Sequence, residues 1–286
     1  MILDIIIPIY NKEKQIINYY NKINEELKNI KHNFIFIDNC STDKSLEILE
    51  NLYSNDENHI KIISLSKQYD KETSIYAGIK NSKHELVCIY DTDLQANISH
   101  ISKMYEFINE NKQYDQVCMY SNYELTGIKK LKTKYFNKLF KMNFDINKTF
   151  FRIMKRNVVD AIIEYSKYTK FSIYTFEEIG FNTYYSKFES KNVNNYSLKK
   201  LLPYVNCPFK FIKMINYTLL LITFILLVLS IFKLILINNN ILLVILILLL
   251  VLNNSLNTFC NNYLLKKDKL TIYGIRKKIG FEENIL

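Results

Sequence analysis

Glycine is scarce in this chain, five among 286 residues. No G-x-G-x-x-G follows the first apolar run, which excludes a dinucleotide-binding dehydrogenase. The five cysteines, Cys40, Cys88, Cys118, Cys207 and Cys260, include no C-x-x-C pair. Scattered and odd in number, they fit reduced thiols in cytosol or bilayer, not a disulfide framework or a zinc site. The four histidines are equally isolated, so no histidine-based metal cluster is visible. The N-terminus lacks a basic leader, and Pro8 interrupts its short apolar run; it is expected to be a first strand and not a signal peptide.

Charge and hydrophobicity are abundant and unevenly placed. The formal net charge is +10, which suits either nucleic acid or the anionic face of a membrane. Lys199, Lys200, Lys210 and Lys213 precede the main apolar region, and Lys266, Lys267, Lys269, Arg276, Lys277 and Lys278 follow it. That placement favours the membrane, and nucleic acid is not expected as a partner. Hydrophobic residues make up 49% of the chain, with the excess after Ile212.

In the first half, short apolar runs alternate with amphipathic stretches. The runs Leu3–Pro8, Phe34–Asp38, Ile60–Ser64, Leu86–Tyr90 and Val117–Tyr120 have the near-continuous apolar character of strands buried on both faces. Helical patterns cover Lys12 to about Asn29, Asp43–Tyr53, Glu72–Ser82 and Ile98–Asn111, with capping chemistry in Ser41-Thr42-Asp43. This rhythm predicts an α/β fold with a mostly parallel, doubly wound sheet. Ligands of such sheets sit beyond the carboxyl ends of the strands, which here means Pro8–Asn11, Asp38–Ser41, Ser66–Lys71 and Asp91–Gln95.

Two long apolar stretches follow. Ile215–Ile237 is long enough for a bilayer, whose core takes about 20 helical residues. Ile241–Leu252 must extend through its asparagines to about Cys260 to do the same. The basic outer flanks and the uncharged link Asn238-Asn239-Asn240 put both ends on the cytoplasmic side. The expected organisation is therefore a cytosolic domain over residues 1–205, two transmembrane helices within 206–264 (about 213–237 and 241–261), and a basic cytoplasmic tail over 265–286. A buried helical hairpin of a soluble protein is the competing reading. Leu131–Phe144 has Leu131, Tyr135, Leu139 and Met142 on one helical face, a pattern shared with ordinary surface helices; the apolar stretches that follow favour a membrane-interface helix over about 131–144.

The chemistry-bearing residues lie at the strand ends. Asp91-Thr92-Asp93 puts two carboxylates one residue apart on a turn leaving a strand, where they can grip a divalent ion such as Mg²⁺ or Mn²⁺ bridging phosphate oxygens. Asp38 ends another strand, where it can accept hydrogen bonds from a base or ribose, or cap the next helix. Asn11 can line the same crevice, although asparagine in such a turn is ordinary.

The segments IIIPIYNKEKQI, IFIDNCSTDKSLEIL, LSKQYDKETSIYAGI and VCIYDTDLQANI resemble family-two glycosyltransferases of GT-A fold. The resemblance is to the dolichyl-phosphate mannose synthases and bacterial polyprenyl-phosphate (bactoprenol) glucosyltransferases. FRIMKRNVVDAI, IGFNTYYSKF, the two apolar stretches and the tail segment IYGIRKKIGF extend it along the chain. It implies that Pro8, Tyr10 and Asn11 shape a nucleotide pocket and that Asp38 holds the nucleoside. Asp91 would hold the ribose or metal side, Asp93 the metal, and Gln95 would border sugar and acceptor. Lys71 and Glu72 fall in a Gly-Lys-Glu-like loop, and Arg152 would meet a phosphate, which suits its bidentate fork. The sequence departs from the family pattern at Asn39 (usually an acid), Cys40 and Asp70 (each usually glycine), Phe150 or Phe151 (usually aspartate) and Asn194–Leu198.

The implied activity is transfer from a UDP- or GDP-sugar to polyprenyl phosphate at the cytoplasmic face of a bacterial inner membrane. A hydroxyl acceptor on a lipid-linked glycan is the alternative; it needs a general base, for which Glu177 and Glu178 are candidates. A catalytically inactive anchored scaffold is the third reading. A second copy of the chain is a further candidate partner.

Overall fold

The computed structural model describes residues 1–94, 96–122, 147–188, 208–231, 247–255 and 272–281, with single positions between 130 and 145 and at 258. The chain divides into two compact units. One comprises Met1–Leu125, Asp145–Asn195 and Leu270–Leu286; the other comprises Thr126–Phe144 and Tyr196–Lys269.

The first unit is a GT-A-like α/β fold around an eight-stranded sheet. Its elements run β1 (Leu3–Ile9), α1 (Ile16–Glu26), β2 (His32–Asp38), α2 (Ser45–Asn55), β3 (Ile60–Leu65), α3 (Lys71–Asn81) and β4 (Leu86–Ile89). A short 3₁₀ turn (Thr92–Leu94), α4 (Ser99–Glu110), β5 (Gln116–Ser121), β6 (Lys148–Lys155), α5 (Arg156–Tyr165), α6 (Thr175–Glu178) and β7 (Thr183–Phe188) follow. The last strand, β8 (Ile275–Ile279), comes after the second unit in sequence.

The strand order is β7-β5-β6-β4-β1-β2-β3-β8. Strands β4, β1, β2 and β3 are parallel, and β7 is parallel to β5. β6 runs antiparallel to both β4 and β5, and β8 antiparallel to β3. All seven residues of β1 are buried, as its place in the middle of a sheet covered on both faces requires. Alternating residues feed two layers. Ile5, Ile7, Phe34, Phe36, Ile60, Ile62 and Cys88 join Ile16, Ile23, Leu49, Ile101 and Met104 of the helices in one core. On the opposite face α3 approaches β1 so closely that a Cβ on Gly78 would stand 2.4 Å from Ile6 Cγ2.

This winding decides where a site can form. From β1 the chain goes to β2 and β3 on one side and returns to β4 on the other, so the loops leaving β1 and β4 diverge. A crevice opens at that switch point, beyond the strands' carboxyl ends.

In the second unit, α7 (Pro208–Ile231) is 24 residues long. Its described side chains run from 215 to 226 and include 228, and residues 247–255 are also helical. Among the described residues no helix is long and apolar enough to cross a membrane. Most of the expected helix at 131–144 lies outside the described residues, as do 232–246 and most of 256–271.

Candidate active site

Four loops meet at the crevice. Pro8 and Ile9 at the end of β1 and Tyr10 and Lys12 after it, Asn39 after β2, Gln68, Tyr69, Lys71 and Ser74 around the start of α3, and Thr92 and Asp93 after β4 line a cavity of about 360 Å³. The turn after β1 is tied to the one after β2: Asn11 Oδ1 accepts the Thr42 N–H at 2.9 Å, and the Asn11 N–H donates to Ser41 Oγ at 3.1 Å. Asn11 holds φ of 51°, a left-handed conformation that asparagine tolerates better than most residues.

The two carboxylates after β4 differ sharply. Asp91 is fully buried, whereas the Asp93 side chain is 52% exposed. The 3₁₀ turn lets the Asp93 N–H donate to Asp91 Oδ1 at 3.1 Å. The Lys71 ammonium bridges the pair, donating to Asp91 Oδ1 and, at 3.0 Å, to Asp93 Oδ2. Lys12 Nζ stands 3.2 Å from Asp93 Oδ1. Burial pulls the Lys71 pKa down, but Asp91 and Asp93 outweigh it and hold the ammonium above the ordinary lysine range. Burial likewise pushes the Asp93 carboxyl up, and Lys71 and Lys12 overcome this and keep it below the ordinary carboxylate range.

Asp91 Oδ2 is buried with no hydrogen-bond partner among the described residues. A buried carboxylate oxygen without a donor is costly unless a ligand or cation meets it. Two hard oxygens on one turn fit Mg²⁺ or Mn²⁺, ions that take one or two protein carboxylates and complete their shell with water and substrate phosphates. Among the described residues no group of three His, Cys, Asp or Glu side chains could hold a metal alone.

The sequence profile described as Glycosyl transferase family 2 matches residues 4–175, a stretch that contains all four loops. The chain belongs to glycosyltransferase family 2. Among its relatives is a putative glycosyltransferase, CsbB, of Bacillus subtilis, 29% identical over 71% of this chain and 64% of that protein. A prophage bactoprenol glucosyl transferase homolog of Escherichia coli is 27% identical over 57% of this chain and 55% of its own length. An undecaprenyl-phosphate 4-deoxy-4-formamido-L-arabinose transferase of Photorhabdus laumondii is 33% identical over 32% of this chain and 29% of its own. The chain thus spans less than two thirds of the length of the curated relatives it matches. In fold it is similar to glucosyl-3-phosphoglycerate synthase of Mycobacterium tuberculosis, crystallised with Mn²⁺, UDP and phosphoglyceric acid. That match has a TM-score of 0.50 and 14% identity, covering 70% of this chain and 72% of that one.

Two departures from the family-2 pattern find their explanation in the loops after β2 and before α3. Asn39 uses both ends of its amide: Nδ2 donates to the Tyr69 carbonyl and Oδ1 accepts the Tyr69 N–H, each at 2.8 Å. An acid there could satisfy only one of these groups. Asp70, in place of glycine, caps α3 by accepting the Thr73 N–H at 2.9 Å and pairs with Lys170 at 2.7 Å. Cys40 is different, because it keeps φ at 58°, the conformation for which the family's glycine is suited. Asp38, fully buried, accepts the Ser41 N–H at 3.0 Å and the Ser64 hydroxyl at 2.8 Å.

The structure brings Pro8, Tyr10, Lys71 and Asp93 around one cavity, with buried Asp91 bonded to Lys71, Asn11 in the turn after β1 and Asp38 at the end of β2. It does not bring Arg152 there. Arg152 is buried in β6, donating to Gln116 Oε1 at 3.2 Å and the Thr149 carbonyl at 2.7 Å, with its guanidinium 3.5 Å from the Phe176 ring centre. Gln95 lies outside the described residues. Gln68, Tyr69 and Thr92 also line the cavity, within the strand-end stretches expected to form the site, whereas Lys12 and Ser74 lie outside those stretches. Lys12 was assigned to a helix; in fact α1 begins at Ile16, and the turn before it aims the lysine at Asp93. A cation one turn ahead of an apolar helix, next to a strand's carboxyl end, was the available signal.

Proposed function

We propose that this protein is a membrane-anchored, inverting glycosyltransferase that moves a sugar from a UDP- or GDP-sugar to polyprenyl phosphate. The observation that carries the reading is the convergence of Asp91, Asp93, Lys12 and Lys71 on one crevice at the sheet's switch point. A diphosphate brings several negative charges, which call for cations on the protein side, and a divalent ion held by the carboxylates would add to them. A bound Mg²⁺ or Mn²⁺ would supply Lewis-acid stabilisation of the departing diphosphate. Asp93, half exposed, and Asp91, with its free buried oxygen, would hold it. Lys71 and Lys12 are placed to exchange their carboxylate contacts for phosphate oxygens as the donor enters. Asp38 and the Asn39–Tyr69 clamp would set the nucleoside end, and Pro8 and Tyr10 its wall.

In the reaction an acceptor oxygen forms the new bond to the anomeric carbon. The bond from that carbon to the diphosphate oxygen breaks, and the nucleoside diphosphate leaves with the electron pair. One in-line displacement inverts the centre. A phosphate acceptor is already anionic at neutral pH and requires no general base. The two residues that could have served a hydroxyl acceptor are otherwise engaged: Glu177 is ion-paired with Lys148, and Glu178 accepts the Tyr165 hydroxyl at 2.7 Å. The undecaprenyl-phosphate and bactoprenol names of the relatives support the same acceptor.

Membrane anchoring rests on the apolar stretches and their basic flanks. Outward-facing Tyr217, Leu221, Phe224, Leu248 and Val251 agree with it, being more than half exposed in helices. The location proposed is a bacterial inner membrane with the catalytic domain in the cytoplasm. The test offers labelled UDP- and GDP-sugars with Mg²⁺ or Mn²⁺ to membranes holding the full chain, with undecaprenyl phosphate or a lipid-linked glycan as acceptor. Label entering undecaprenyl phosphate is the expected result; label entering only the glycan would overturn the acceptor assignment.

A further inference from the structure

The last strand of the sheet touches the donor crevice at two places, and nothing in the reaction as described uses it. Gly274, just ahead of β8, binds the loop after β3 with both backbone groups: its N–H donates to Tyr69 Oη at 2.9 Å and its carbonyl accepts the Ser66 N–H at 2.9 Å. A Cβ on Gly274 would stand 2.5 Å from Ser66 Oγ, so the serine side chain would have to turn away to admit one. Two residues on, Arg276 Nη2 donates to Ser64 Oγ at 2.9 Å and stands 3.5 Å from Asp38 Oδ2. Ser64 in turn donates to Asp38 Oδ2 at 2.8 Å. A relay therefore runs from Arg276 through Ser64 to the buried carboxylate that ends β2. The loop gripped by Gly274 is the one that presents Tyr69 to Asn39 and Lys71 to Asp91 and Asp93.

We propose that β8 locks the nucleoside end of the donor crevice, with Arg276 a positioning residue for Asp38 and Gly274 the anchor of the 66–71 loop. This rests on the donor reading above and adds to it. Asp38 is fully buried, and a buried carboxylate is held in one rotamer by the donors around it. Arg276 supplies the only cation within 4 Å of Asp38 among the described residues. In sequence the lock follows the entire second unit, so the donor site is assembled from the two ends of the catalytic unit. Its completion waits for the segment after the apolar helices.

The test compares the full-length wild type with Arg276→Ala, Arg276→Lys and Gly274→Ala. Lys277→Ala, which removes only the surface pair with Glu50 at 2.8 Å, is the control. UDP and GDP with MnCl₂ are the probes, read by calorimetry, and donor KM and kcat are read separately. Arg276→Ala is expected to weaken binding of whichever nucleotide the wild type takes by about tenfold. Donor KM rises to match, kcat stays within about twofold, and Arg276→Lys recovers part of the loss. Amide hydrogen exchange without ligand reads the lock itself: residues 38–41 and 66–71 exchange faster in Arg276→Ala and Gly274→Ala and unchanged in Lys277→Ala. Exchange and affinity equal to wild type in folded Arg276→Ala would overturn the proposal. A wild type that binds neither nucleotide sinks the donor reading, and the exchange measurement then still decides whether β8 holds these loops.

Discussion

Replacing Lys71 by methionine removes the cation between the two carboxylates while keeping most of the side-chain volume. Asp91 is fully buried and would keep only the Asp93 N–H as a donor. Stripping one partner from a fully buried ion pair costs roughly 3–5 kcal/mol. Here Lys71 is 27% and Asp93 52% exposed, so solvent screens part of the loss and about 2 kcal/mol is expected. For a domain of this size that is a fall in Tm of roughly 4–8 °C, measurable by thermal unfolding of the detergent-solubilised chain. The loss must depend on pH. The Asp93 carboxyl is held low chiefly by Lys71, and a group with a depressed pKa contributes stability above its unfolded value that disappears as pH falls through its folded value. The gap between wild type and Lys71→Met is therefore full at pH 7 and narrows below about pH 5. A gap of equal size at pH 7 and at pH 3.5, or none at all, would refute the ion-pair account.

Substitutions at two further positions probe the turn after β2. Cys40→Gly relieves a non-glycine residue at φ 58° and is expected to raise stability by about 1 kcal/mol, measured as a higher denaturation midpoint, whereas Cys40→Val lowers it by about as much. Asn39→Asp deprives the Tyr69 carbonyl of its donor and sets an anion against it; a loss of about 1–3 kcal/mol is expected, with a higher donor KM in steady-state kinetics.

The order of strands and helices up to β5 was legible because each central strand is buried on both faces and spells its burial as a continuous apolar run. The loops at their carboxyl ends followed from topology alone. What stayed hidden depends on contacts distant in sequence. β8 holds three cations in five residues, Ile275-Arg276-Lys277-Lys278-Ile279, and reads as a basic tail. Such charge is also common on edge strands, where it discourages further pairing, and only its partner β3 distinguishes the two. Arg152 was expected to meet a phosphate because of the family resemblance of its segment, and its contacts with Gln116 and Phe176 in β6 could not be read from that resemblance. The Asn39–Tyr69 clamp joins residues 30 apart, a pairing no local pattern announces.

The central claim is that Asp93, on the turn after β4, holds a divalent ion against a donor diphosphate. The measurement is Mn²⁺-dependent transfer of labelled sugar from its nucleotide to lipid extract, comparing wild type with Asp93→Ala at equal amounts of folded protein. The account predicts a loss of about hundredfold or more, equivalent to roughly 3 kcal/mol of transition-state stabilisation, and abolition of wild-type transfer by chelation. Transfer by Asp93→Ala at the wild-type rate would contradict it.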